Sequence, residues 1–124
     1  MEVKFYVCKH CGNIVGFIKN SGVPIKCCGE NMTPLTLNSV EASQEKHLPV
    51  VKRTDIGITV TVGSVLHPML ENHHIEWIYL ETVKGGQRKI CVDSPSANFA
   101  LAPDDMAVAA YAYCNLHGLW RTLV

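Results

Sequence analysis

The chain has 124 residues, 48% of them hydrophobic, and eleven basic side chains balance eleven acidic ones. That length fits one ordinary domain, or one of roughly 85 residues with a small appendage, and it can build a self-supporting core. Zero net charge excludes a global field that recruits nucleic acid or an anionic membrane, and no apolar run approaches the roughly 20 residues of a membrane span. Residues 1–37 carry four Lys against two Glu, an asymmetry too small to steer a charged substrate, so any such attraction must come from a few placed side chains. Met1-Glu2-Val3-Lys4 lacks the apolar core of a secretory signal. The chain is therefore expected to be soluble and cytoplasmic, with its six Cys serving as thiolates for metal rather than as disulfides.

Residues 3–7 are β-prone and lead into Cys8-Lys9-His10-Cys11-Gly12, where the glycine permits a turn that brings backbone amides towards the sulfurs. A second β-prone run, 14–18, and a turn at Asn20-Ser21-Gly22 precede Cys27-Cys28-Gly29. The resulting C-x2-C-x15-C-C places four thiols within 21 residues, a pattern for tetrathiolate binding of zinc or iron. Adjacent side chains of an extended chain point to opposite faces, so the backbone must bend sharply at Cys27-Cys28 and the tetrahedron is expected to be distorted. His10 reads as an exposed loop residue. A module this small has little core, so metal is expected to fold it. Residues 31–40, with Pro34 and several small polar side chains, read as a linker.

Glu45 to Pro49 reads as a charged turn that the proline keeps from continuing as helix. Ile56, Ile58, Val60 and Val62 alternate with Gly57, Thr59 and Thr61, a strand with one buried face that Gly63-Ser64 breaks. His67-Pro68 opens a loop ending at His73-His74, and residues 75–82 form the next strand. Gly85-Gly86 marks a hairpin into residues 88–92, and 97–101 is a shorter β-prone stretch. The run 106–113 has four Ala that favour helix, but it is short and its neighbours are strands, so strand is expected. Residues 119–124 close the set. About seven short strands separated by turns point to an antiparallel β-sandwich or barrel.

His47, His67, His73, His74, Cys114 and His117 all fall in loops or at strand ends, where ligands from different strands can converge. Cys114-Asn115-Leu116-His117 supplies half a metal site, and several imidazoles with one thiolate make a redox iron or copper environment more than a structural zinc one.

Four strings then resemble the iron-site motifs of the superoxide reductases: Glu45-Lys46-His47, His67-Pro68-Met69, His73 with Ile75-Glu76-Trp77-Ile78, and Cys114-Asn115-Leu116-His117-Gly118. The Cys module in front is similar to the desulforedoxin-like domain of the two-iron members, the desulfoferrodoxins. The resemblance implies a mainly β chain. A small rubredoxin- or desulforedoxin-like metal-binding domain, 1–37, precedes an immunoglobulin-like antiparallel β-sandwich, 38–124. It implies two irons. One is held by Cys8, Cys11, Cys27 and Cys28. The other, catalytic Fe(II) is held by His47, His67, His73 and His117 in a plane with Cys114 on the axis, and the opposite axial position is open. Lys46 would supply positive charge beside that position, and Glu45 the carboxylate that can occupy it in the ferric state. The implied reaction is one-electron reduction of superoxide to hydrogen peroxide, with electrons from a rubredoxin-like donor and a homodimeric protein. A non-catalytic electron carrier or metal-storage protein, and a zinc ribbon fused to a β-sandwich interaction domain, are the competing readings. His74 departs from the aromatic residue often found after the third His, and Cys91 matches no ligand and reads as a buried thiol.

Overall fold

The structure, a computed structural model, describes residues 4–38 and 42–124. The chain divides into two compact units, Met1–Thr36 and Leu37–Val124.

The first unit contains β1 (Phe5–Val7), β2 (Ile14–Gly16), β3 (Lys26–Cys27), β4 (Glu30–Asn31) and β5 (Thr33–Pro34). β1 pairs antiparallel with β2 on one side and β5 on the other, while β3 and β4 form a separate hairpin. Phe5, Cys8 and Met32 are its buried apolar side chains among the described residues. Three such residues cannot offset the ordering entropy of the segment, which is why a cross-link between the loops is needed. The linker expected over 31–40 is in part structured. Pro34, which has no N–H to donate, lies on the edge strand β5, where none is required. Leu37 bridges to Leu119, and Asn38 brackets Arg121 through its side chain, accepting from Arg121 N–H at 2.7 Å and donating to its carbonyl at 3.3 Å. Residues 39–40 of that stretch lie outside the described residues.

The second unit opens with the one-turn helix α1 (Gln44–His47). It continues through β6 (Pro49–Arg53), β7 (Gly57–Val62), β8 (Ile75–Thr82), β9 (Gly85–Ile90), β10 (Ser96–Ala100), β11 (Ala107–Cys114) and β12 (Gly118–Leu123). Two antiparallel sheets result, ordered β10-β7-β6 and β12-β11-β8-β9. Ile58, Val60, Val62 and Phe99 of the first pack against Ile75, Ile78, Leu80, Ala110, Ala112 and Cys114 of the second. The fold is thus mainly β, a small N-terminal sheet unit followed by antiparallel sheets.

The alternation expected for β7 holds for Ile58, Val60 and Val62, whereas Ile56 precedes the strand and is exposed. The Ala-rich run is a strand, and its period of two turns Ala110, Ala112 and Cys114 to the core. Glu45 to Pro49 differs from the expected turn: residues 44–47 complete one helical turn before Pro49 starts β6. β6 gave no alternating signal, because only Pro49 of its five residues is fully buried. β8 pairs with β11 with one register shift between Ala107 and Ala109 and a second beyond Trp77 opposite Tyr113, where Cys114 pairs with Ile75 and the skipped residue is Glu76. This bulge turns Ile75 to the core side already occupied by Ile78 and Leu80. It sits beside Cys114, at the end of the sandwich where the histidines gather. No helix among the described residues is long and apolar enough to cross a membrane.

Candidate metal centres

The sulfurs of Cys8, Cys11, Cys27 and Cys28 all lie within 4.8 Å of one another. Cys28 and Gly29 are the two residues joining β3 to β4, with φ of 54° and 79°, the positive values that a tight type I′ hairpin needs at both positions. This is the bend that adjacent cysteines require to face one point. Cys11 and Cys27 sulfurs stand 3.7 Å apart, Cys27 and Cys28 4.0 Å, and the Asn13 side-chain amide donates to Cys27 at 3.7 Å. Hydrogen bonding from the Cys11 backbone pulls the Cys8 thiol down to about 6, while sharing a proton with Cys11 pushes Cys28 up to about 12. Such a crowd of thiols competing for few protons is a set that a cation resolves. His10 lies outside it, exposed, with Nε2 3.3 Å from the Glu30 carboxylate.

The second cluster forms where four loops and strand ends meet. Helix α1 presents His47. Gly63 makes room for it, because a Cβ there would lie 2.5 Å from the Glu45 carbonyl and 2.8 Å from the Lys46 carbonyl carbon. That Glu45 carbonyl accepts from Val65 N–H at 3.0 Å, tying the helix to the turn after β7. His47 and His67 are both buried, and each gives its Nδ1–H to a main-chain carbonyl, Ser43 at 2.6 Å and Pro68 at 2.7 Å. Those bonds leave both Nε2 atoms as bare acceptors, yet they face each other at 3.2 Å, and His117 Nδ1 is 3.1 Å from His47 Nε2. Two lone pairs so close are repulsive unless a cation lies between them.

The rings form a closed square. His47 and His67 are 4.7 Å apart at 79°, His67 and His73 4.7 Å at 80°, His73 and His117 5.2 Å at 80°, and His117 and His47 4.9 Å at 87°. Across the square, His47 and His73 are 6.3 Å apart. His73 Nε2 is buried and without a hydrogen-bond partner among the described residues. Such an atom costs about 1–3 kcal/mol unless something absent from the protein itself binds it. Cys114, with no exposed surface, points its sulfur at His117 Nδ1 from 3.9 Å. His47, His73, Cys114 and His117 offer donor atoms all within 4.8 Å of one another, and His67 adjoins that group through His47. Burial pushes His67 down to about 4 and lowers His47 and His73, so these three rings are neutral and free to donate lone pairs at neutral pH.

Glu45 and Lys46, expected beside this cluster, are both exposed on α1. The Lys46 charge reaches the rings, contributing to the lowered pKa of His47 and His73. His74 is not among the residues whose donor atoms converge with Cys114 and His117, and its Nδ1–H goes to the Leu70 carbonyl at 2.8 Å. Cys91 is buried and burial pushes its thiol up to about 11, as befits a packing residue. Two supporting residues escaped the sequence reading. Trp120 is fully buried, stacks on His47 at 4.9 Å and donates its Nε1–H to the His117 carbonyl at 3.1 Å. Asn115 joins the β11 end to the loop carrying His73. Their only sequence signal is position, three residues after His117 and inside the C-N-L-H string.

A family model described as desulfoferrodoxin matches residues 39–123. The chain belongs to the desulfoferrodoxin family. It is 43% identical over 122 residues to a desulfoferrodoxin of Nitratidesulfovibrio vulgaris, covering 97% of this chain and 95% of that one. A superoxide reductase of Pyrococcus horikoshii is 33% identical over 108 residues, with 72% and 94% covered. The crystal structure of the superoxide reductase from Treponema pallidum superposes with a TM-score of 0.82 at 36% identity, covering 98% and 99% of the two chains. With its His/Cys site, the chain is a superoxide reductase of the desulfoferrodoxin type, an oxidoreductase. It carries a four-cysteine cluster and a cluster of three histidines with one cysteine, consistent with two iron sites.

Proposed function

We propose that superoxide is reduced to hydrogen peroxide at the His/Cys centre, and that the whole square of imidazoles takes part: His47, His67, His73 and His117 with Cys114 hold one iron. Cys8, Cys11, Cys27 and Cys28 hold the other, in a desulforedoxin-like domain over 1–37, and the catalytic domain spans 38–124. The observation that carries this reading is the convergence of ring nitrogens, two acceptor Nε2 atoms facing at 3.2 Å and a third ring nitrogen buried without a partner among the described residues, beside a fully buried thiol. That donor set fits a redox iron better than a structural zinc.

The overall change is O₂•⁻ + e⁻ + 2H⁺ → H₂O₂. Iron held by these residues would supply the single electron, which the external donor would replace. The chain supplies the ligand set and the local charge. Main-chain carbonyls of Ser43 and Pro68 fix the tautomers of His47 and His67 and aim Nε2 inward. Cys114, buried in the core, would hold the iron through its sulfur at a point shielded from water. Lys46, exposed on α1, attracts the anionic substrate locally in a chain whose net charge is zero. Glu45, its neighbour, is the carboxylate assigned to the oxidised centre. Both protons come from solvent.

Electrons are supplied by a small rubredoxin-like protein, the active form is a homodimer, and the protein works in the cytoplasm; these assignments follow the family resemblance. The test is metal analysis followed by mixing the reduced protein with superoxide. Two irons per chain and peroxide formed in step with oxidation support the reading. Two zinc and no iron, or unreactive iron, would replace it with a binding module or an electron carrier.

A further inference from the structure

His73 is held differently from its partners. The rings of His47 and His67 are each tied to a carbonyl through Nδ1, whereas no hydrogen bond orients the His73 ring among the described residues. Its position therefore depends on the backbone of residues 72–74. That backbone is gripped by Asn115 from both sides of His73. The Asn115 Oδ1 accepts from His74 N–H at 2.8 Å, its own main-chain N–H donates to the His74 carbonyl at 3.1 Å, and its Nδ2 donates to the Asn72 carbonyl at 3.1 Å. Asn115 also follows Cys114 directly, at the bulged end of β11.

We propose that Asn115 is a positioning residue of the His/Cys centre, a latch that sets the His73 ring against the Cys114 sulfur. The proposal rests on the reading of that cluster as a metal centre. Asparagine is the side chain for the task, because one short planar group offers an acceptor to the N–H on one side of His73 and a donor to the carbonyl on the other. Alanine removes both arms and leaves only the main-chain bond. Aspartate keeps the acceptor for His74 N–H but sets an oxygen against the Asn72 carbonyl.

The experiment uses full-length, iron-loaded protein and follows the visible absorption of both centres during challenge with a chelator. Asn115→Ala should speed metal loss from the His/Cys centre by roughly tenfold or more, the usual scale for a residue that orients a ligand. It should also shift the thiolate-to-metal band, and leave loss from the four-cysteine centre unchanged. Asn115→Asp, the fallback should the alanine variant not fold, should also speed loss from the His/Cys centre, because it keeps one arm and turns the other into an oxygen–oxygen repulsion. Ile78→Val, a core truncation of ordinary stability cost in β8, should change the rate by less than roughly twofold. An Asn115→Ala protein with wild-type kinetics and band position overturns the latch, as does equal acceleration by Ile78→Val. Wild-type protein that takes up no metal at the His/Cys cluster overturns the centre and the latch together.

Discussion

Replacing Trp120 by Phe should weaken the fold and the metal centre at once. The indole is fully buried, lies 4.9 Å from His47 at an angle of 29°, and donates to the His117 carbonyl at 3.1 Å. Phenylalanine keeps an aromatic face but has no N–H, which costs about 1 kcal/mol for the lost bond to a half-buried carbonyl. The smaller ring leaves a void beside His47 that adds about 1–2 kcal/mol. The sum, about 2–3 kcal/mol, corresponds to a fall in Tm of roughly 10–20 °C for a domain of this size. Because one side chain steadies two imidazoles on opposite elements, metal affinity at the His/Cys centre should fall by about tenfold or more. Calorimetry and chelator competition on the same preparation measure both. A large fall in Tm with unchanged metal retention would refute the coupling, and an unchanged Tm would refute the packing argument.

Cys114→Ser should abolish turnover and remove the thiolate-to-metal absorption while the bands of the four-cysteine centre persist; retained activity would exclude the thiolate from the chemistry. Lys46→Glu should lower the second-order rate constant with superoxide by about tenfold at low ionic strength, with the gap closing as salt is added. A gap that ignores salt would mean that Lys46 acts through something other than its charge. In metal-free protein the folded His67 pKa, about 4, lies below its unfolded value of 6.5, so the contribution of this ring is complete above about pH 6.5 and is lost as pH falls towards 4. Its size is at most about 3 kcal/mol, and lowered His47 and His73 act in the same direction. Urea midpoints taken from pH 7 to pH 4 check this, and a flat profile would contradict neutral burial of the rings.

The sequence was most legible where spacing alone constrains chemistry. C-x2-C-x15-C-C announced its cluster and demanded a bend that Cys28 and Gly29 supply with paired positive φ. The period-two run of β7 announced the face towards the core, whereas the Ala-rich run of β11 was read as strand only from its length and neighbours. Residues 44–53 were less legible, because a single helical turn carries no periodicity and β6 is mostly exposed. The linker was misjudged for a related reason: polar Asn38 looked like loop composition, but its side chain substitutes for a strand partner at Arg121. The imidazole square drew on residues up to 70 positions apart, and only the two sheets bring them together. Trp120 and Asn115 could not be ranked from sequence, since what they contribute is a hydrogen bond to a main-chain group that composition does not reveal.

Mixing fully reduced protein with a known pulse of superoxide and following the His/Cys absorption, peroxide and dioxygen together tests the proposed reaction most directly. One hydrogen peroxide per centre oxidised, with no dioxygen released, is the expected result. Release of dioxygen alongside peroxide, or a His/Cys centre that superoxide leaves reduced, would contradict it.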